Sequence, residues 1–139
     1  MKLTAQRILI VEDETDIRRI YSELLTRFGY EVDTAEDGEA GWQVLHAARC
    51  AFDSHDLLIT DNNMPKLSGL ELIRKVRSAH LSLPVILASG TEPTNIEALQ
   101  LAAVLPKPFS LVQLAQTVKD VLHSANGVNP NWRRATKLT

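Results

Sequence analysis

The chain has 139 residues, of which 45% are apolar and 23% are charged, a composition that fits one compact globular domain. Acids outnumber bases by 17 to 15, which argues against a general nucleic-acid binder, and the single cysteine excludes an intramolecular disulfide. The N-terminal segment turns acidic after a short apolar run, and no apolar run is long enough for a membrane span. The sequence therefore predicts a cytoplasmic protein without membrane or nucleic-acid partners.

Five short strands are predicted along the chain. Three of them are apolar runs without alternation, bounded by charged residues, proline or glycine, which is typical of strands buried on both faces of a parallel sheet. The other two are a poorly alternating segment and a very short one. In chain order the predicted strands are residues 8–11, 31–35, 57–60, 85–88 and 104–106.

Helical segments lie between these strands. Apolar residues at helical spacing from Ile17 to Phe28 form one stripe, and Gly29 is well placed to end that helix. Later segments open with pairs that have capping-box spacing. These pairs are Ser68 with Glu71, Thr94 with Glu97 as a weaker instance, and Ser110 with Gln113. The repeated order of strand and helix predicts an open parallel sheet with helices on both faces.

Polar side chains follow four of the predicted strands at the point where each strand ends. Glu12 and Asp13 come directly after the first strand, and Asp61 comes directly after the third. Ser89 closes the fourth strand, and Lys107 closes the fifth. Because ligands of such sheets bind beyond the carboxyl ends of the strands, these five groups are expected to converge on one edge.

The residue types at this edge suit phosphoryl chemistry. Three gathered carboxylates repel one another unless a hard cation lies among them, and oxygen ligands with retained waters suit Mg²⁺. The Asp61 carboxylate could then act as a nucleophile toward phosphorus and form an acyl phosphate. The Lys107 ammonium and the Ser89 hydroxyl could share the phosphoryl charge with the metal.

Each of these residues also has an ordinary structural explanation when it is taken alone. Asp13 could cap the first helix, Ser89 could be a turn residue, and Lys107 could be a surface lysine. The presence of all five groups at the same predicted edge favours the functional interpretation.

Four segments resemble the response-regulator receiver domains of two-component signalling, and they occur in that family's order. They are ILIVEDE at 8–14, LLITDNNMPKLSG at 57–69, PVILASG at 84–90 and LPKPF at 105–109. The resemblance covers residues 5–123, and residues 124–139 are predicted to be a polar, flexible tail. The resemblance implies an α/β, flavodoxin-like, doubly wound sheet of five parallel strands in the order 2-1-3-4-5 with five helices.

The resemblance also implies a chemical role for three matching residues. Asp61 corresponds to the phosphoacceptor, Lys107 to the lysine that pairs with the phosphate, and Ser89 to the switch serine or threonine that swings toward the phosphoryl group. The bond between Lys107 and Pro108 corresponds to one that is commonly cis in the family.

The resemblance implies Mg²⁺ as the cofactor, and it assigns four residues to the binding of this metal. Asp13 and Asp61 correspond to direct carboxylate ligands, and Asn63 corresponds to the residue that contributes its backbone carbonyl. Glu12 corresponds to an acid that acts through a water molecule.

The sequence departs from the family pattern in two places. Val104 occupies the position, three before the lysine, where the family usually has an aromatic switch residue. The stretch from Ser89 to Lys107 is also short by about one helical turn. The fourth helix is therefore expected to be short or irregular. Both changes affect how a signal would reach the face formed by the fourth helix, the fifth strand and the fifth helix.

The expected function is a phosphorylation-dependent signalling switch, a regulatory phosphoacceptor rather than a turnover enzyme. Its expected partners are a histidine kinase or histidine phosphotransfer protein, a downstream protein target, and a second copy in a phosphorylation-dependent dimer. No DNA-binding output domain is expected in this chain, which could be a stand-alone protein or a receiver from a larger one.

Three other functions fit the sequence less well. An aspartate-nucleophile phosphatase would need a second acid where Asn63 stands. A flavodoxin would need a phosphate loop in place of the acidic EDET segment. A phosphorylation-independent module of the same fold would not need the complete acceptor set.

Outside the predicted site, the four histidines lack metal-ligand spacing and are predicted to face solvent. They are His46, His55, His80 and His123. Residues 47–55 are predicted to form a long connection before the third strand.

Overall fold

The computed structural model describes residues 5–126, which form a five-stranded parallel sheet with helices on both faces. The strands are β1 (Arg7–Val11), β2 (Glu31–Ala35), β3 (Leu57–Asp61), β4 (Val85–Ser89) and β5 (Ala103–Pro106). The α-helices are α1 (Thr15–Arg27), α2 (Gly38–Cys50), α3 (Gly69–Ser78) and α4 (Leu111–Asn126). The strand order β2-β1-β3-β4-β5 confirms the predicted flavodoxin-like, doubly wound fold.

The central strands of the sheet are buried on both faces, and the side chains of β1 show how. Ile8 and Ile10 pack into the cluster that contains residues of α1 and α4, whereas Leu9 and Val11 pack against α2 and α3. None of these four residues is more than 1% exposed. Successive strand residues thus point to opposite faces, but both faces are apolar, which is why the strand sequence shows no alternation.

Helices α1, α2 and α3 end in the same way, with a residue in the left-handed conformation after the C-cap. These residues are Gly29, Phe52 and His80, with φ angles of 93°, 58° and 61°. In each case two successive amides donate back to carbonyls of the last turn, which is the Schellman motif. Gly29 confirms the predicted end of α1, whereas Phe52 and His80 adopt a conformation that costs a residue with a side chain about 1–2 kcal/mol.

The segment between β4 and β5 forms only a 3-10 helix, Glu97–Leu99, which agrees with the expectation of a short or irregular fourth helix. No side chain caps it, so the predicted capping role of Thr94 is wrong. Instead, the guanidinium of Arg77 from α3 donates to the Leu99 carbonyl at 2.8 Å. The same group donates to the carbonyls of Leu81 and Leu83, at 2.8 and 2.9 Å. One α3 side chain therefore joins the 3-10 helix to the loop before β4.

Two predictions for the segment before β3 are wrong. Helix α2 continues to Cys50, so the connection is shorter than residues 47–55. The His55 side chain does not face solvent but is 0% exposed, and its Nε2 lies 2.8 Å from Asp33 Oδ2. Arg7 donates to the same carboxylate from β1 at 3.0 Å. A distant strand thus supplies the polar partner that allows this histidine to be buried.

The two stronger capping boxes are confirmed. Ser68 and Glu71 exchange backbone-to-side-chain hydrogen bonds at the start of α3, and Ser110 and Gln113 do the same at the start of α4. Helix α4 continues to Asn126, and the rest of the predicted tail lies outside the described residues. Within residues 5–126, no helix is long and apolar enough to cross a membrane.

Candidate functional site

Four strands bring the predicted polar groups together at the carboxyl edge of the sheet. Carboxylate oxygens of Glu12, Asp13 and Asp61 all lie within 4.8 Å of one another. The Lys107 ammonium forms an ion pair with Asp61 Oδ1. Ser89, the last residue of β4, is 4% exposed and lies on the strand that pairs with β3 and β5. The convergence expected from strand order alone is therefore present.

Burial divides the three acids into two environments. Glu12 is 4% exposed and Asp61 is 5% exposed, whereas Asp13 is exposed. A buried carboxylate is retained only when it has compensating partners, and Asp61 has one in the Lys107 ammonium. The acid cluster thus has Asp13 at its solvent side and Asp61 inside.

The crowding of charges shifts the pKa values of two groups. Burial raises the pKa of Glu12 to about 7, and the Asp61 charge and a hydrogen bond with Asp13 act in the same direction. Burial alone would lower the pKa of Lys107, but the hydrogen bond and the charge of Asp61 outweigh it, so the pKa is raised. Lys107 is therefore a fixed cation, while the acid cluster holds more negative charge than Lys107 can offset.

The loop between β1 and α1 is held at several points around Glu12. The Glu12 amide donates to the Ala35 carbonyl of β2 at 3.1 Å, and Glu12 Oε2 accepts from the Glu14 amide at 3.0 Å. Arg18 of α1 reaches back and donates to the Glu12 carbonyl at 2.7 Å. The position of the first acid is therefore set by β2, by its own loop and by α1.

The loop after β3 is closed by Asn62 and Gly69. The Asn62 carbonyl accepts from the Gly69 amide at 3.0 Å, and its Oδ1 accepts from the Leu70 amide at 3.1 Å. A Cβ on Gly69 would lie 2.2 Å from the Asp61 carbonyl oxygen, so only glycine permits this approach. Asn63 is exposed in the middle of this loop, and its predicted metal role stays a prediction.

The Ser89 hydroxyl is occupied by its own loop. It donates to the Thr91 carbonyl at 2.7 Å and accepts from the Thr91 amide at 3.3 Å. The Ser89 carbonyl accepts from the Lys107 amide at 2.9 Å, and the bond between Lys107 and Pro108 is cis, as the resemblance implies. Ser89 is thus placed beside the acid cluster, with its hydroxyl turned toward Thr91.

The geometry of the acid cluster fits a small, hard cation. Octahedral Mg²⁺ with oxygen ligands at about 2.1 Å places opposite ligands about 4 Å apart, and these carboxylate oxygens all lie within 4.8 Å of one another. The donors are all oxygens, and the exposed side of Asp13 leaves room for coordinating waters. The residues present therefore suit Mg²⁺ better than a metal that prefers nitrogen or sulfur.

Sequence reasoning missed three residues that shape the site, namely Arg18, Asn62 and Thr91. Each of the three makes a hydrogen bond that involves a backbone amide or carbonyl group, and no residue pattern predicts such a contact. Val104 lies half-buried against the cluster on the α2 and α3 side.

This fold and this acidic edge are those of receiver domains, and comparison with known proteins agrees. Residues 8–119 match the response regulator receiver domain family. The chain is 34% identical over 128 residues to a chemotaxis protein CheY homolog of Campylobacter jejuni, covering 87% of this chain and 95% of that protein. The chain therefore belongs to the response regulator receiver domain family.

Two further relatives have different lengths. The probable transcriptional regulatory protein SilR of Salmonella typhimurium is 36% identical over 124 residues, which cover 86% of this chain but 52% of SilR. This chain thus spans about half of that relative's length. The structure of chemotaxis protein CheY4 of Vibrio cholerae superposes with a TM-score of 0.75 at 29% identity, covering 85% of this chain and 99% of CheY4.

Proposed function

We propose that this chain is a phosphorylation-dependent signalling switch in which Asp61 accepts a phosphoryl group. The observation that carries the proposal is the environment of the Asp61 carboxylate. It is 5% exposed, it is paired with Lys107, and it lies within 4.8 Å of the Glu12 and Asp13 carboxylates. A buried carboxylate with an adjacent cation and a metal-binding acid cluster has what acyl phosphate formation requires.

In the proposed reaction, a carboxylate oxygen of Asp61 attacks phosphorus and the nitrogen of a donor phosphohistidine leaves. Lys107 pairs with Asp61 before transfer and with a phosphoryl oxygen afterwards. The Ser89 hydroxyl must exchange the Thr91 carbonyl for a phosphoryl oxygen, which requires a rotation about its side-chain bond. These residues position and stabilise the group without being consumed.

Mg²⁺ is the proposed cofactor, with Asp13, Asp61 and the Asn63 backbone carbonyl as ligands and Glu12 acting through water. When bound, the ion would neutralise the acid cluster and supply positive charge to a phosphoryl oxygen. The proposed donor is a histidine kinase or histidine phosphotransfer protein in the cytoplasm. The proposed output is altered contact with a downstream protein or with a second copy of the chain.

The test is acyl phosphate formation on the intact protein. Incubation with Mg²⁺ and acetyl phosphate or phosphoramidate should add one phosphoryl group by intact mass, and hydroxylamine should remove it. Asp61→Asn should abolish the adduct. Asp16→Asn, which changes an exposed acid of α1, is the matched control and should leave it unchanged. Absence of any adduct with every donor would refute the proposal, and steady hydrolysis of phosphomonoesters would favour a phosphatase instead.

A further inference from the structure

Arg18 is tied to the acidic loop rather than to solvent or to an acidic side chain. Its Nη1 donates to the Glu12 carbonyl at 2.7 Å and is 3.5 Å from the Asp13 carbonyl. The residue is half-buried in the second turn of α1, directly behind the two acids. We propose that Arg18 is a positioning residue that fixes the Glu12–Asp13 backbone so that both carboxylates face the metal site. The inference rests on the proposed Mg²⁺-dependent function.

The charge of Arg18 does not by itself explain its position. The acids around it attract the guanidinium, but a cation close to a metal site also opposes the binding of a second cation. The contribution of Arg18 therefore lies in its hydrogen bonds to backbone carbonyls, since hydrogen bonds from charged donors are among the stronger ones.

The contacts of Glu12 explain why the Arg18 contact matters. The Glu12 amide is held by the Ala35 carbonyl and its side chain by the Glu14 amide, so the carbonyl is the remaining anchor of this residue. The Glu12 carbonyl belongs to the peptide that leads into Asp13. Without Arg18 this peptide can rotate, and the rotation would move the Asp13 carboxylate, the exposed acid of the site. Metal sites lose affinity when their ligands are displaced by fractions of an ångström.

A positioning role and a simple charge effect predict opposite results. If Arg18 acted only as a nearby charge, its removal would relieve repulsion and tighten Mg²⁺ binding. If it positions the loop, its removal would weaken binding by about tenfold, the lower range for loss of an outer contact to a metal ligand. The direction of the change in Kd therefore distinguishes the two roles.

The experiment is calorimetric titration of the full chain with MgCl₂, without a phosphate donor, for three variants. Arg18→Ala should raise the Kd for Mg²⁺ about tenfold, and Arg18→Lys should fall between it and the wild type because lysine can still donate to one carbonyl. Arg19→Ala is the matched control. It removes the same charge from the next residue, whose side chain is 67% exposed and pairs with Asp16, so its Kd should equal that of the wild type.

Amide hydrogen exchange of the metal-free protein supplies a readout that does not depend on binding. In Arg18→Ala, exchange of the Glu14 amide should accelerate severalfold, because its acceptor on Glu12 is no longer held in place. Exchange in β3 and β4 should be unchanged, which would exclude global unfolding as the cause. Equal or tighter Mg²⁺ binding by Arg18→Ala would overturn the inference. Failure of the wild type to bind Mg²⁺ would instead overturn the proposed function.

Discussion

At Gly69 the start of α3 lies against the end of β3, and an added methyl group has no room there. In Gly69→Ala the new Cβ would lie 2.2 Å from the Asp61 carbonyl oxygen and 2.9 Å from Asn62 Cα. Ordinary non-bonded contacts begin at about 3.5 Å, so the end of β3 and the start of α3 must separate by about 1 Å. Both neighbours are backbone atoms, which cannot turn aside as a side chain could.

The stability change follows from two opposing terms. Overpacking of this kind costs about 1–3 kcal/mol. Replacing glycine reduces the entropy of the unfolded chain, which returns about 0.5–1 kcal/mol. We therefore expect Gly69→Ala to lower the free energy of unfolding by about 1–2 kcal/mol in urea titrations. Gly90→Ala is the matched control, because a Cβ there meets nothing within 4 Å, and it should be neutral or slightly stabilising.

The functional change should exceed the stability change. A displacement of about 1 Å at a reacting group can slow a reaction by about a hundredfold. The initial rate of acyl phosphate formation with acetyl phosphate and Mg²⁺ should therefore fall by about ten- to a hundredfold in Gly69→Ala, measured by intact mass at a temperature where the variant is fully folded. It should be nearly unchanged in Gly90→Ala. Equal stability and equal rates for the two variants would refute the steric argument.

Four other substitutions should change the free energy of unfolding, two of them upward. Phe52→Gly and His80→Gly should each raise the free energy of unfolding by about 1 kcal/mol in urea titrations, since glycine adopts the left-handed conformation without strain. An unchanged free energy of unfolding would mean that contacts of the two side chains offset the backbone strain. Arg77→Lys should lower the free energy of unfolding by about 2–4 kcal/mol, because lysine lacks the forked guanidinium that donates to three separate carbonyls. An unchanged urea midpoint would contradict this prediction. The pKa of Glu12 rises from 4.5 to about 7 on folding, so between these values folding takes up a proton. The stability that protonated Glu12 contributes is therefore fully present below about pH 4.5 and is lost as the pH rises through about 7. In EDTA, the free energy of unfolding of the wild type should fall by about 2–3 kcal/mol between pH 5 and 8, whereas that of Glu12→Gln should not show this fall. Parallel pH profiles of stability for the two proteins would exclude proton uptake by Glu12.

The strands and the convergence of the acids were predictable because they depend on local rules. Three short apolar runs predicted β1, β3 and β4 to within one residue, since strands buried on both faces need apolar side chains in succession. Two weaker segments predicted β2 and β5 to within one residue as well. Parallel strands end at one edge, so the residues after them meet there whatever the details of packing. The resemblance added the strand order, which helical and strand periods do not specify.

Features that depend on contacts between distant segments were not predictable. The burial of His55 depends on Asp33 of β2, and the 3-10 helix is anchored by a hydrogen bond from Arg77 of α3. For His55 and Arg77 the partner lies on another segment, and the sequence does not state which groups will meet. Helices α2 and α3 end at left-handed Phe52 and His80 rather than at a glycine such as Gly29, so their ends lacked the usual residue signal.

The amino-acid sequence by itself thus determined the sheet, its functional edge and the residue types gathered there. Only the tertiary structure decided how those residues are held. It turned the Ser89 hydroxyl toward Thr91, paired Lys107 with Asp61 and directed Arg18 to the carbonyls behind the acids. The reason is that the strand pattern fixes the end of each strand to within a residue, whereas a hydrogen bond requires its atoms to be placed within a few tenths of an ångström.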